Sequence, residues 1–186
     1  MQDQLQAVVE SLESAQSRLR RLADSLSEKQ WSRKPAPNRW SAAECVEHLN
    51  LTSRAYVPLL RDALAEARLL RAPGPERYRR DGVGWFLGMM IGPMRHIGKF
   101  RIGRVKTTED FVPHPKGDRT KILSEFVRLQ SELVSLARAA EGLAIDKVKI
   151  VSPFGGKMKY NAYSALVIIP RHEHRHIEQA EEAAGK

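Results

Sequence analysis

The chain has 186 residues, a formal net charge of +9 and 42% hydrophobic residues, a composition expected of one soluble globular domain spanning 1–186. Cys45 is the sole cysteine. That excludes an intrachain disulfide and cysteine-rich zinc sites, and it makes a reducing cytoplasm the expected compartment. No basic stretch followed by an apolar one opens the chain, so no signal peptide is expected. The most apolar run, Val83–Pro93, falls short of the ~20 residues that cross a bilayer, so no membrane partner is expected either. Lys and Arg number 31 against 22 Asp and Glu, but they are scattered. Basic clusters such as Arg18–Leu22 and Arg77–Arg80 are short and carry no nucleic-acid-binding signature. The expectation is a solvated basic surface with no nucleic-acid partner.

The first predicted element is a helix of about seven turns. Leu5, Val8, Leu12, Ala15, Leu19, Leu22 and Leu26 recur at steps of three and four, one apolar stripe on a polar rod. The stripe serves a core, and a homodimer interface is left open as a second use. Pro35 and Pro37 interrupt the helical pattern between Ser27 and Trp40. "SAAE", Ser41–Glu44, then reads as a capping box that opens a second helix. Its stripe is Cys45, Leu49, Thr52, Tyr56, Leu59, Ala63, Ala67 and Leu70, and "APGPER" stops it. Glycines and prolines break up residues 82–115. A short helix is expected near Trp85–Met90, followed by an irregular crossover through "TTEDFVPHPKG". Asp118 caps a third long helix with a stripe of Ile122, Phe126, Leu129, Leu133 and Leu136, and Gly142 ends it. "IDKVKIVSPFGGKMKY" alternates like a short extended hairpin turning at Gly155-Gly156. A fourth long helix runs from near Asn161 to about Ala183. Four amphipathic helices and one long crossover make the expected fold all-α, a four-helix bundle.

Three of the six histidines lie in "HEHRH". On a helix, His172 and His176 differ by ~40° and share one face, whereas His174 lies ~160° from both. Ala165, Ile169 and Ala180 share the face of the pair, which is therefore expected to point inward. His174, Glu173 and Glu178 are expected at or near the surface, and Gln179 as a group supporting a ligand. Two histidines at i, i+4 clamp a metal ion without completing its shell, so a third ligand must come from elsewhere. His48 is one candidate, beside Leu49 on the buried edge of the second helix. His96 and His114 fall in the irregular crossover, where spacing places neither. Pro170 is expected to bend the helix just before the pair, either as a plain kink or as a device that aims His172. Glu44 is expected to act as a cap, with orientation of His48 as a second role left open.

"RWSAAECVEHL" resembles the segment of DinB-like (YfiT-like) proteins in which Trp-Ser opens the second helix and a histidine follows in "HL". "PRHEHRHIEQ" is similar to the C-terminal HxxxH of that family, and "FVP" and "SPF" fall in matching order. The resemblance runs from the Trp31 region to Gln179. It implies a bundle whose helices do not simply alternate up and down. By motif position it implies one divalent ion, zinc or nickel, on His48, His172 and His176. The family includes S-transferases and an isomerase that use low-molecular-weight thiols. The expected partners are therefore such a thiol and a small electrophile, with hydrolysis by an activated water as a close variant. A metal-binding or stress-related module without turnover is the alternative. Cys45 lies on the core stripe and is expected to be buried and inert, so the reacting sulfur must come from a cosubstrate.

Overall fold

A computed structural model describes residues 2–92, 95–97, 100–102, 107–114, 118–154 and 158–186, with 95–97 and 100–102 described as backbone. Four long helices dominate: α1 (Asp3–Asp24), α3 (Ala42–Leu69), α5 (Arg119–Ala139) and α6 (Ala162–Ala184). Two short ones, α2 (Glu28–Ser32) and α4 (Gly82–Ile91), fill the connections. Two antiparallel hairpins complete the fold, β1 (Arg95–Ile97) with β2 (Phe100–Ile102) and β3 (Lys149–Val151) with β4 (Lys159–Asn161). The second is the hairpin anticipated before the last helix; its expected turn at Gly155-Gly156 lies outside the described residues.

Each long helix after the first starts on a side-chain cap. Ser41 Oγ accepts from the Glu44 amide at 3.2 Å, and the Glu44 carboxylate accepts from the Ser41 amide at 2.9 Å. Asp118 accepts from the Lys121 amide and Asn161 from the Ser164 amide, each at 2.8 Å. Gly142, at φ +75°, supplies the left-handed turn after α5. The predicted first helix is shorter than its stripe: α1 ends at Asp24 although Leu26 is still buried. The segment read only as a break holds α2, which Ser27 and Gln30 close with a second capping box. Leu59 is half-buried and Leu70 exposed, so the α3 stripe drifts to Leu60 and Leu64. Leu136 is likewise half-buried on α5.

Helix directions follow from the contacts along each pair. Ser11 meets His174 and Arg18 meets Glu181, so α1 and α6 run parallel. Asn50 meets Ile122, Arg54 meets Glu125 and Arg61 meets Glu132, so α3 and α5 also run parallel. Arg138 reaches Glu13 and Arg119 reaches Leu26, which sets α5 antiparallel to α1. Around the bundle the order is α1–α5–α3–α6. Because α3 and α5 run in the same direction, the chain must return the length of the bundle between them. That return holds α4, the β1–β2 hairpin and a 3₁₀ turn at Glu109–Phe111.

The core divides into two apolar blocks. One holds Leu5–Leu12, Tyr56–Ala67, Leu129–Ala140 and the first turns of α6; the other holds Ala15–Leu26, Ala42–Leu49, Ile122, Phe126 and Ile177–Ala184. Between them lie buried polar residues: Asn50, Thr52 and Ser53 on α3, Gln130 on α5, and His172, Glu173 and His176 on α6. The polar level of the bundle is therefore also the level of the histidine pair.

Candidate metal centre

His48 sits almost two turns inside α3, at a depth set by the Ser41–Glu44 cap. His172 and His176 project from consecutive turns of α6, and both helices turn these residues toward each other. All three side chains are buried, and each offers a ring nitrogen within 4.8 Å of those of the other two. Nε2 of His48 and Nε2 of His172 are 3.3 Å apart. Two nitrogens each ~2.0–2.1 Å from a tetrahedral ion would be separated by ~3.3–3.4 Å, so this pair already has the spacing of metal ligands. The ring centroids lie 4.4–5.1 Å apart and the planes are inclined at 60–67°, a converging rather than stacked set.

The outer ring nitrogens decide the tautomers. His48 Nδ1 lies 2.8 Å from the Phe111 carbonyl, which can only accept, so it carries the proton and leaves the Nε2 lone pair inward. His176 Nδ1 donates to Gln179 Oε1 at 3.0 Å in the same way. Gln179, expected to support a ligand, is thus the hydrogen-bond partner of His176. The orienting partner of His48 is the Phe111 carbonyl and not Glu44. The Glu44 carboxylate is occupied by Ser41 and by Lys34 at 2.7 Å. Trp40 packs on His48 and His176 with centroids 4.8 and 5.8 Å away, and Phe154 packs on His172 at 5.6 Å.

Burial keeps these rings neutral. It pushes His48 down to about 4, against the opposing pull of the Phe111 hydrogen bond. His172 and His176 fall well below the ordinary histidine value, first through burial and then through the neighbouring imidazoles and the charge of Arg175. Neutral imidazoles with free inward lone pairs are the form that binds a divalent cation, so the donor set fits one.

The other predicted residues separate from this cluster. His114 is exposed, and the side chain of His96 lies outside the described residues. His174 is half-buried against α1, its Nε2 3.2 Å from the Ser11 carbonyl. Glu173, expected at the surface, is 1% exposed and faces the bundle interior. Helix α6 continues through the buried Pro170 up to the histidines. Cys45 is fully buried, and burial together with the Glu44 charge pushes its thiol pKa up.

Beside the histidines opens a cavity of about 740 Å³. One wall is α4, through Phe86, Leu87, Met90 and Ile91; Phe154 and Met158 form another, and Trp40 and Arg175 flank the imidazoles. Arg175 went unremarked in the sequence because an arginine inside a run of histidines reads as surface charge. Its burial depends on α4, which packs over it. That helix sits close because Gly84 has no side chain: a Cβ there would lie 2.1 Å from Ser164 Oγ. Among the described helices none is long and apolar enough to cross a membrane.

Neither the curated proteins nor the solved structures compared with the chain gave a match. The family profile described as the DinB superfamily matches residues 11–180, which takes in the C-terminal part of α1, all three converging histidines and both walls of the cavity. Three buried histidines able to hold a metal ion, on a bundle with parallel α3 and α5, accord with that match, and the chain belongs to the DinB superfamily.

Proposed function

We propose that this protein is a metal-dependent enzyme that holds one divalent ion, zinc or nickel, on His48, His172 and His176 and transfers a low-molecular-weight thiol to a small electrophile. The observation that carries the reading is the set of three neutral imidazoles converging on the wall of a cavity large enough for small-molecule reactants, with the lone pairs of His48 and His176 turned inward. A divalent ion bound there supplies Lewis acidity, lowering the pKa of a thiol or a water that enters beside it. The Phe111 carbonyl and Gln179 hold the rings in the tautomer that faces the ion. Trp40 and Phe154 restrict ring rotation and exclude bulk water from one side. The chain's own sulfur cannot take part, because Cys45 is sealed in the core with its thiol protonated. The nucleophile is therefore brought by a cosubstrate.

Metal content of purified protein, measured by plasma mass spectrometry, tests the site. Wild type is expected to retain about one equivalent, and His48→Ala and His176→Ala to lose most of it, a ten- to hundredfold or larger drop in affinity. Wild type indistinguishable from the variants would remove the basis of the proposal. Thiol consumption with an electrophile panel then separates an enzyme from a metal-binding module without turnover.

A further inference from the structure

Helix α4 has a composition unlike the other helices: from Gly82 to Ile91 it carries no polar side chain. Trp85 and Met89 are 52% exposed and Phe86 51%, with Val83 and Met90 exposed beside them. At ~100° per residue these five fall within an arc of ~160°. Gly84 and Gly88 are buried on the opposite side, where α4 packs on α6. Scattered exposed apolar residues are ordinary, but a continuous apolar face marks a contact surface. The face does not end with the helix. Phe86 and Met90 share the cavity mouth with Met158, which is exposed on the adjoining hairpin, as is Val151.

Cations border this face. Arg171 is exposed, and its Nε donates to the Gly88 carbonyl at 3.1 Å. Arg80 reaches the same turn: a Cβ on Gly88 would lie 3.2 Å from its Nη1. Both guanidinium groups therefore flank the edge of α4 that is ~60° around the axis from Trp85. On the other side β4 packs on α4, and Lys159 follows Met158 there, exposed. Asp81, the carboxylate that caps α4, is occupied by Lys149 and by the amides of Gly84 and Asn161. Every Asp and Glu of the chain is among the described residues, and none forms an ion pair with Arg80, Arg171 or Lys159.

We infer that this face docks on the surface of an anionic phospholipid bilayer. Helix α4 lies in the plane of the membrane, with Trp85, Phe86 and Met89 among the acyl chains and Arg80, Arg171 and Lys159 against lipid phosphates. The length of α4 excludes a span; it suits a helix that lies ~5–10 Å deep at the headgroup boundary. Trp85 stands on the edge nearest the arginines, where an indole N–H reaches headgroup level. The face is a convex ridge without a polar side chain, so it offers nothing to fix the register of a protein partner, and a bilayer demands none. No part of the inference draws on the ion or on catalysis.

Flotation of the full-length protein with lipid vesicles tests it. Vesicles of phosphatidylcholine with about 25% phosphatidylglycerol are expected to carry at least roughly tenfold more protein than phosphatidylcholine alone, and the difference should shrink as salt rises from about 0.1 to about 0.5 M. Trp85→Ser combined with Met89→Ser removes the middle of the face without touching the residues that line the cavity. That variant is expected to lose at least about tenfold in bound fraction. Lipids brominated on the acyl chains should quench the tryptophan emission of the wild-type chain, a readout that needs no variant. Absence of flotation with anionic vesicles, equal flotation with neutral ones, a double variant that binds like wild type, or absence of quenching each overturns the inference. A wild-type dimer that the double variant dissolves, without flotation, assigns the face to a second copy and overturns it as well.

Discussion

Glu173 and His48 are buried at the same level of the bundle, and they titrate with opposite consequences. Among the described residues neither carboxylate oxygen of Glu173 has a hydrogen-bond partner, and the side-chain amide of Gln130, the polar group that acts on it, is equally unsatisfied. Burial raises Glu173 to about 8, with Gln130 lowering it only in part. Between the ordinary value of 4.5 and about 8, the unfolded chain releases this proton while the native one keeps it. The native state therefore loses stability as pH rises through that window. Glu173→Gln keeps the volume and removes the ionisation; urea denaturation should show a gain of about 2–3 kcal/mol near neutral pH and little gain below about pH 4.5. His48 works the other way. Its native value is about 4 against 6.5 unfolded, so the unfolded chain takes up the proton first as pH falls. Metal-free protein should lose on the order of 3 kcal/mol between about pH 6.5 and about pH 4 from this residue, with His172 and His176 adding in the same direction. Thermal melts of the stripped protein across that range check the sign, and His48→Ala should flatten the slope.

At the scale of elements, caps and close approaches carry the most. Ser41→Ala removes half of the capping box at the head of α3, the helix that sets the depth of His48. It should cost about 1 kcal/mol, read by denaturant titration. Gly84→Ala must push α4 away from Ser164 or force that side chain aside. A loss of about 1–3 kcal/mol is expected, together with weaker binding of cavity ligands, because α4 is the cavity wall. These elements were unequally legible beforehand. Capping boxes and i, i+4 histidines are local patterns, so Ser41, Asp118 and the His172–His176 pair could be read from spacing alone. The apolar stripe reports burial rather than backbone hydrogen bonding, which is why Leu26 extended the predicted helix past Asp24. Residues of α6 pointing at the bundle centre were not legible. Glu173 looked solvated because a carboxylate between two histidines gives no sign that α5 lies diagonally opposite with Gln130. Arg175 and the Phe111 carbonyl owe their roles to the crossover, whose docking no periodicity encodes.

At the scale of the whole molecule, an ion on the three histidines would join parts of the chain that secondary structure leaves separate. His48 and His172 are 124 residues apart, and the metal would tie α3 to α6 across the polar level that divides the two apolar blocks. A ligand that binds only the native state at one hundred times its dissociation constant stabilises by about 2.7 kcal/mol. For a chain of this size that corresponds to a rise in Tm of about 5–10 °C on metal loading. Differential scanning calorimetry with and without chelator should show it, and His176→Ala should abolish it.

The parallel course of α3 and α5 has a consequence for biosynthesis. An ion on the three histidines would need His48 from α3, held by a carbonyl of the segment that spans the bundle, and two imidazoles from α6, so a chain without α6 could not assemble the set. Ion capture would then follow the docking of α6 on α3 rather than precede it.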